Sequence, residues 1–410
     1  MTHIQNVWAN NTLTNKQNRS QCCGCSACES ICKKKAISMK ADKEGFLYPV
    51  VDVGKCVDCG LCTKVCPVVN ECNNNNHYLK IYAGYTKDDV LLNQCATGGI
   101  GTALALYIVK KGGVVFGVQY SPDYKNVEYG IATTEEEVRR FCGSKYVQAS
   151  KTGIFEKVKK CLNTGRFVLF TGCPCDVSGL KNYLRIDYKN LITCELICAG
   201  ITSHKVLNDY RVWSESKNGK HIEKINMRHK LRGWFVTSLE ETFDDNSKKY
   251  KNFYATYLGH AFLTFPRPSC LKCQYRGTVS QADIKIGDFW GIKDSDEFWN
   301  PNGVSVIFVN TQKGLDILKM LDDFALFETT YEYATKGNHS AVENHGEYYV
   351  RLRDKFEQLY IIEGKGLIPS CKATASNGFW VKHFVPDNFH TIMKKLYHAI
   401  IDKKRKSIRQ

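Results

Sequence analysis

The sequence predicts an α/β core behind a small α+β module. Three observations lead there: a cysteine run that occurs twice near the start, an alternation of short apolar runs and helical stretches from residue 80 onward, and a composition able to bury a core. The chain has 410 residues, more than one typical domain of roughly 100–200, so two or three folded units are expected. Hydrophobic residues make up 43% and charged residues 24%, near the globular average and far from the profile of a disordered chain. No apolar run reaches the roughly 18 residues of a membrane helix; the best, Gly98 to Val109, stops at Lys110 and Lys111. The polar, Asn-rich start lacks a secretory pattern, so a cytoplasmic protein is expected. In that reducing compartment, closely spaced cysteines among the 20 present bind metal or carry redox chemistry more readily than they form disulfides.

The module comes first. Cys22, Cys25, Cys28 and Cys32 form a C-x2-C-x2-C-x3-C run, and Cys56, Cys59, Cys62 and Cys66 repeat it 34 residues later. Three cysteines so spaced wrap one cubane, while the fourth starts a short helix toward the duplicate site, so ligands are exchanged between runs. Cys22, Cys25, Cys28 and Cys66 are therefore expected to hold one [4Fe-4S] cluster, and Cys56, Cys59, Cys62 and Cys32 the other. Zinc is the competing reading, but it prefers four ligands in two C-x2-C pairs. Pro67 completes the second run; Lys33 stands in its place in the first, and Cys23 is an extra thiol without a role. Residues 36–39 and 46–49 read as strands joined by the turn 42–45, and the Asn-rich stretch 73–77 as the linker that closes the module.

The core follows. Residues 80–85 read as a strand, Cys95 to Gly99 opens a helical run through Lys111, and Val114 to Val118 is the next strand. A Gly98-Gly99 pair at a helix start lets backbone N–H groups approach a pyrophosphate, although glycines there also serve a tight turn or close packing. The acidic helical stretch 135–141 leads into Gly143-Ser144-Lys145-Tyr146, which offers a turn, a cation and a ring. Residues 166–171 read as a buried strand, then Gly172-Cys173-Pro174-Cys175 leads into a helix from Val177 to Leu184. A thiol at such a helix start, here Cys175, is expected to have a depressed pKa. Residues 191–200 read as one strand whose period of two puts Cys194 and Cys198 on the same face. Cys270 and Cys273 supply a C-x2-C pair on a loop. Spacing alone leaves iron–sulfur, zinc and unliganded thiols open for these cysteines.

Together Thr97-Gly98-Gly99, Gly143 to Tyr146, Gly172 to Cys175, Leu196 to Gly200, Arg267 to Cys273 and Ala282 to Gly291 resemble, in order and spacing, the family of beta subunits of coenzyme F420 hydrogenases and dehydrogenases. The resemblance covers most of residues 20–335. It implies an α/β flavoprotein core behind a bacterial-type two-cluster ferredoxin domain. It also implies FAD around Thr97, Gly98, Gly99, Ser144, Lys145 and Tyr146, and a third [4Fe-4S] cluster on Cys175, Cys198, Cys270 and Cys273. The domains expected are 1–75 (ferredoxin type), 76–165 (FAD loops), 166–335 (third cluster, flavin and substrate site) and 336–410 (a basic, helical extension). Cys173 stands where relatives more often have a small hydroxyl residue, which leaves open whether Cys173 or Cys175 binds iron. Asp176 and Ala199 depart from the usual glutamine and histidine.

The implied activity is that of an oxidoreductase passing electrons between a ferredoxin-type redox partner, three clusters, FAD and a small-molecule substrate or reduced coenzyme F420. An electron-transfer component of a larger redox complex is the alternative. The formal charge of +16 suggests nucleic acid, but three clusters at about −2 each lower it to about +10, so that class is set aside. Cys72, Cys95, Cys142, Cys161 and Cys371 read as packed or unliganded thiols, and His339 and His345 as solvated side chains. Arg228, Lys230 and Trp234 either face a substrate or form a basic turn leading into a strand. Residues 390–409 read as a basic amphipathic helix, solvated or resting on an anionic membrane surface or a partner.

Overall fold

The computed structural model describes residues 20–70, 78–277, 280–338 and 342–376. The linker 73–77, Cys72, His339 and the helix expected at 390–409 lie outside the described residues.

In the module, β1 (Ile37–Ala41) and β2 (Leu47–Val51) pair antiparallel. Their turn is held by Asp42 Oδ1, which accepts from the N–H groups of Glu44 and Phe46 at 2.9 and 3.0 Å. The duplication is visible in the backbone. Gly24 and Asp58, and likewise Ser26 and Gly60, are equivalent positions of the two runs and all four have left-handed φ. Each turn delivers a short helix, Ala27–Ile31 or Leu61–Lys64. These helices carry the third cysteine of each run, Cys28 or Cys62, and end before the fourth. The expectation that the fourth cysteine starts the helix is thus corrected: the chain must leave helical geometry for Cys32 and Cys66 to turn toward the opposite run.

The core is an eight-stranded sheet in the order β13-β3-β12-β11-β7-β6-β4-β5. Its strands are β3 (Lys80–Thr86), β4 (Val114–Tyr120), β5 (Val127–Ala132), β6 (Val168–Gly172), β7 (Leu191–Leu196), β11 (Ile284–Asp288), β12 (Ser305–Val309) and β13 (Phe324–Glu328). Four of them, β4, β6, β7 and β11, run parallel, and the rest pair antiparallel at the flanks. Alternation sorts the side chains. Val114, Phe116, Val168 and Phe170 face one layer, which also holds module residues Ala27 and Val65. Val115, Leu169, Ile192 and Ile284 face the other, under the helix Ile100–Lys110.

That helix starts at Ile100 rather than near Cys95, because Gly99 takes φ +87° and Gly98 presses against β3 and β12. A Cβ on Gly98 would lie 2.2 Å from Gly84 O and 2.6 Å from Ser305 N. A second sheet of β8 (Ile222–His229), β9 (Ser238–Phe243) and β10 (Lys248–Asn252) is antiparallel. The helices Glu347–Glu357 and Leu367–Thr374 send Phe356, Leu367 and Cys371 into the same layer as the module. Among the described residues, no helix is long and apolar enough to cross a membrane.

Candidate metal and cofactor site

Parallel strands end together, and the turns beyond their carboxyl ends form a crevice. Here the ends of β4, β6, β7 and β11 open into a cavity of about 1200 Å³. One part of its wall is Gly99 to Thr102 at the start of the helix Ile100–Lys110; another is six cysteines, Cys23, Cys173, Cys175, Cys198, Cys270 and Cys273.

Cys173 and Cys175 arrive on the turn after β6, where Pro174 opens the helix Pro174–Leu184. Cys198 arrives just past β7, which ends at Leu196. Cys194 and Cys198 therefore do not share a face, contrary to the expectation from one long strand. β7 loses its partner where its pairing with β11 stops at Ile286, so the chain bends there. Cys194 stays wholly buried beside Ile192 and Leu169, while Cys198 reaches the cavity.

Cys173 lies within electrostatic reach of Cys198, and Cys175 within that of Cys23. Cys198 also lies within electrostatic reach of Cys270 and Cys273. The depressed thiol expected at Cys175 is not found: Cys23, burial and Asp176 push it up. Asp176 is itself held by Lys151 at 3.1 Å and by Tyr129 Oη at 3.1 Å.

In the module, Cys66 of the second run stands within reach of Cys22, Cys25 and Cys28 of the first, and burial pushes its pKa up to about 12. Cys32 lies near Cys62. A cavity of about 190 Å³ is framed by Cys32, Cys56, Cys59 and Cys62 with Ile37 and Val51. The structure thus brings Cys66 beside the first run and Cys32 beside the second, while Cys28 also lies within reach of Cys62. The second set frames a space rather than closing on a point; among the described residues, no three His, Cys, Asp or Glu side chains are placed to hold a single metal ion. Sulfur donors spread around an apolar void suit a cubane in chemistry and in size.

The expected FAD residues divide. Thr97, Gly99, Ser144, Lys145 and Tyr146 line the large cavity. Gly98 lies behind the wall, serving the close packing against β3 and β12. Thr97 Oγ1 is spent on Val304 O at 2.8 Å. Lys145 does not extend toward a phosphate: its Nζ donates to the carbonyls of Phe141, Cys142 and Gly143 at 2.8–3.2 Å, and burial lowers its pKa to about 8. The Tyr146 ring is wedged between Phe253 and Phe262, with centroids at 5.0 and 4.7 Å. A polar ligand fits the wall at Ser305, whose buried hydroxyl has no partner among the described residues.

Arg228, Lys230 and Trp234 are builders of that wall. Arg228 and the Trp234 indole both donate to Asp288 Oδ1, at 2.7 and 2.6 Å, and Trp234 stacks on Trp290 at 5.0 Å. Lys230 donates to the carbonyls of Leu92 and Thr97 at 2.6 and 2.8 Å, pinning the turn before the helix Ile100–Lys110. The turn joins β8 to β9 and so does lead into a strand, with Arg228 itself near the end of β8. His345, expected to be solvated, is half-buried: Arg276 Nη2 donates to its Nε2 at 2.9 Å and to Ala199 O at 2.8 Å. Burial and then Arg276 lower its pKa.

The residues that bind module to core were not picked out for that role, although Arg267 opens the matched stretch 267–273. Arg267, fully buried, donates from Nε to Cys22 O at 2.8 Å and from Nη1 to Leu47 O at 3.1 Å, with its guanidinium 4.0 Å from the Tyr48 ring centre. Gln148 Oε1 accepts from the Leu47 N–H at 2.8 Å. The only hint in the sequence is the position of Arg267, three residues before Cys270.

Comparison with known proteins agrees with this layout. The family described as the C terminus of the coenzyme F420 hydrogenase/dehydrogenase beta subunit matches residues 165–332, its N-terminal counterpart matches 81–153, and a 4Fe-4S dicluster domain matches 21–70. The chain is similar to the F subunit of the F(420)H(2) dehydrogenase of Methanosarcina mazei, with 23% identity over 319 residues that cover 74% of this chain and 82% of that protein. Among solved structures it is similar to a chain of the F420-reducing [NiFe] hydrogenase complex from Methanosarcina barkeri, with 17% identity, a TM-score of 0.42, and coverage of 70% of this chain and 91% of that one.

Proposed function

The chain belongs to the family of coenzyme F420 hydrogenase/dehydrogenase beta subunits, and from that premise we propose that it is an iron–sulfur flavoprotein oxidoreductase. It passes electrons between a ferredoxin-type partner, three [4Fe-4S] clusters, FAD and a small-molecule substrate or coenzyme F420. The observation that carries this reading is the single cavity of about 1200 Å³ whose wall is cysteine-rich on one side and a helix start on the other. Clusters supply one-electron steps and a flavin supplies exchange with two-electron organic chemistry.

Cys22, Cys25, Cys28 and Cys66 would hold the first module cluster, and Cys32, Cys56, Cys59 and Cys62 the second. In the core, Cys175, Cys198, Cys270 and Cys273, which share the cavity wall, would hold the third, with Cys173 the competing donor on the same turn. Gly99, Gly101 and Thr102 form the cofactor face of the helix start, where N–H groups favour a pyrophosphate, while Lys230 fixes that turn. Electrons enter at the second module cluster, because Cys59 is exposed and Val53 and Val57 stand out beside it.

Anaerobic reconstitution with iron, sulfide and FAD tests the reading. About twelve irons and one flavin per chain are expected; fewer than about eight irons contradict even the module. A second reading, an electron-transfer component that turns over no substrate itself, is favoured by the relative named as one subunit of a dehydrogenase. Steady reduction of coenzyme F420 or another small acceptor by the isolated chain would exclude it.

A further inference from the structure

Cys95 and Cys142 belong to no ligand set, yet the fold gathers them around one hydroxyl. Cys95 closes the short helix Asp89–Gln94, and Cys142 follows the helix Glu135–Arg139. The two segments are fastened side by side where Arg139 Nη1 donates to Gln94 Oε1 at 2.7 Å. Thr102, in the first turn of the helix Ile100–Lys110, reaches both sulfurs. Cys95 Sγ donates to Thr102 Oγ1 at 3.3 Å, and the same oxygen lies 3.7 Å from Cys142 Sγ. Since the hydroxyl accepts from Cys95, its own hydrogen is left for Cys142.

The pair is reachable from the large cavity. Cys95 and Thr102 line it, as do Phe141 and Gly143 on either side of Cys142, which is itself half-buried. A Cβ on Gly99 would lie 3.4 Å from Cys95 Sγ, so this sulfur rests against the turn that opens the helix Ile100–Lys110. The surroundings treat the two thiols unequally. Cys95, the Thr102 hydroxyl, Lys145 and Arg139 hold the Cys142 thiol below its ordinary value against burial, whereas Cys142 and burial push that of Cys95 up. One sulfur is thereby the nucleophile and the other keeps its proton, the division of roles that thiol–disulfide exchange requires.

We propose that Cys142 and Cys95 form a thiol–disulfide exchange site that takes a small disulfide as substrate and is left as a Cys95–Cys142 disulfide on the cavity wall. In the first step the Cys142 sulfur bonds to one sulfur of the small disulfide, whose S–S bond breaks and releases one thiol. In the second, the Cys95 sulfur bonds to that of Cys142 and the second thiol leaves. The pair loses two electrons to the small disulfide, and its two protons end on the two departing thiols. The exchange needs neither cluster nor flavin, so it stands apart from the electron relay. The new bond, about 2.05 Å long, ties the turn before the helix Ile100–Lys110 to the loop 141–146 and so fixes two parts of the cavity wall to each other.

The test uses the full chain reconstituted anaerobically with iron and sulfide and then held with glutathione disulfide at neutral pH. Acid quenching, alkylation of the remaining thiols and peptide mass analysis give the readout, with iron content measured alongside. Wild type is expected to yield the Cys95 and Cys142 peptides joined by a disulfide, with iron unchanged. Cys95→Ser is expected to stop at the first step, with glutathione bound to Cys142, and Cys142→Ser to leave Cys95 alkylated as a free thiol. Free Cys95 and Cys142 in treated wild type would overturn the proposal. So would a lasting glutathione adduct on wild-type Cys142 without the cross-link, or an adduct on Cys95 in Cys142→Ser. Loss of iron in the untreated Cys95→Ser or Cys142→Ser variant would make these thiols cluster ligands and overturn it as well.

Discussion

Cys194 and Cys198 lie four positions apart, yet one ends among Ile192, Leu169 and Ile284 and the other in the cavity. Burial pushes the Cys194 thiol up, and Glu195 and Asp283 add to the shift, so it remains a protonated, apolar filler. Cys194→Ala is therefore expected to keep the full iron content and to cost about 1 kcal/mol from the small void. Cys198→Ala is expected to lose about four irons. Iron assay with low-temperature EPR of both variants checks this; equal iron loss would contradict the placement. Lys145 is a second case of tertiary context deciding a side chain. A lysine in a Gly-Ser-Lys-Tyr turn reads as a phosphate ligand, but this one satisfies three carbonyls of its own loop.

The elements legible in the sequence were those whose signal is local. The duplicated cysteine runs, the module hairpin and the β-α alternation each depend on residues a few positions apart, and all are present. The end of β7 was not legible, because the apolar pattern runs on through Ile197 while pairing with β11 stops, and pairing is a property of two distant segments. The docking of the last helix was likewise hidden. His260, on the helix Tyr257–Thr264, meets Thr374 Oγ1 at 3.0 Å. Thr374 donates its own hydrogen to Ser370 O, so the ring donates to Thr374. Burial lowers the His260 pKa from 6.5 to about 4. The unfolded chain takes up this proton as pH falls through 6.5 and the folded chain only near 4, so the ring's contribution is complete above 6.5 and declines below it. Denaturant unfolding at pH 7 and pH 5 should differ by about 2 kcal/mol more in wild type than in His260→Gln.

At the scale of the whole molecule, buried cations fasten the module to the core. Arg353, on the helix Glu347–Glu357, donates to Glu44 in the module hairpin at 2.5 Å, to Glu357 at 3.2 Å and to Pro266 O at 2.8 Å. Both ends of the Arg353–Glu44 pair are buried. Arg353→Met removes the buried guanidinium that faces Glu44 and is expected to lower stability by roughly 3–5 kcal/mol, with Glu44→Gln in the same chain recovering part of it. Thermal unfolding followed by loss of cluster absorbance measures both. Arg267 works in the same way on the far side of the hairpin, and Gly45 sits so close to Lys205 that a Cβ there would lie 2.5 Å from the lysine Cβ. The front of this chain is consequently not an interchangeable cartridge. A foreign two-cluster segment spliced in its place would need the guanidinium sockets, the missing side chains and the hairpin acid of this one, so such a swap is expected to cost the fold its seams, and changes are best confined to the outward rim.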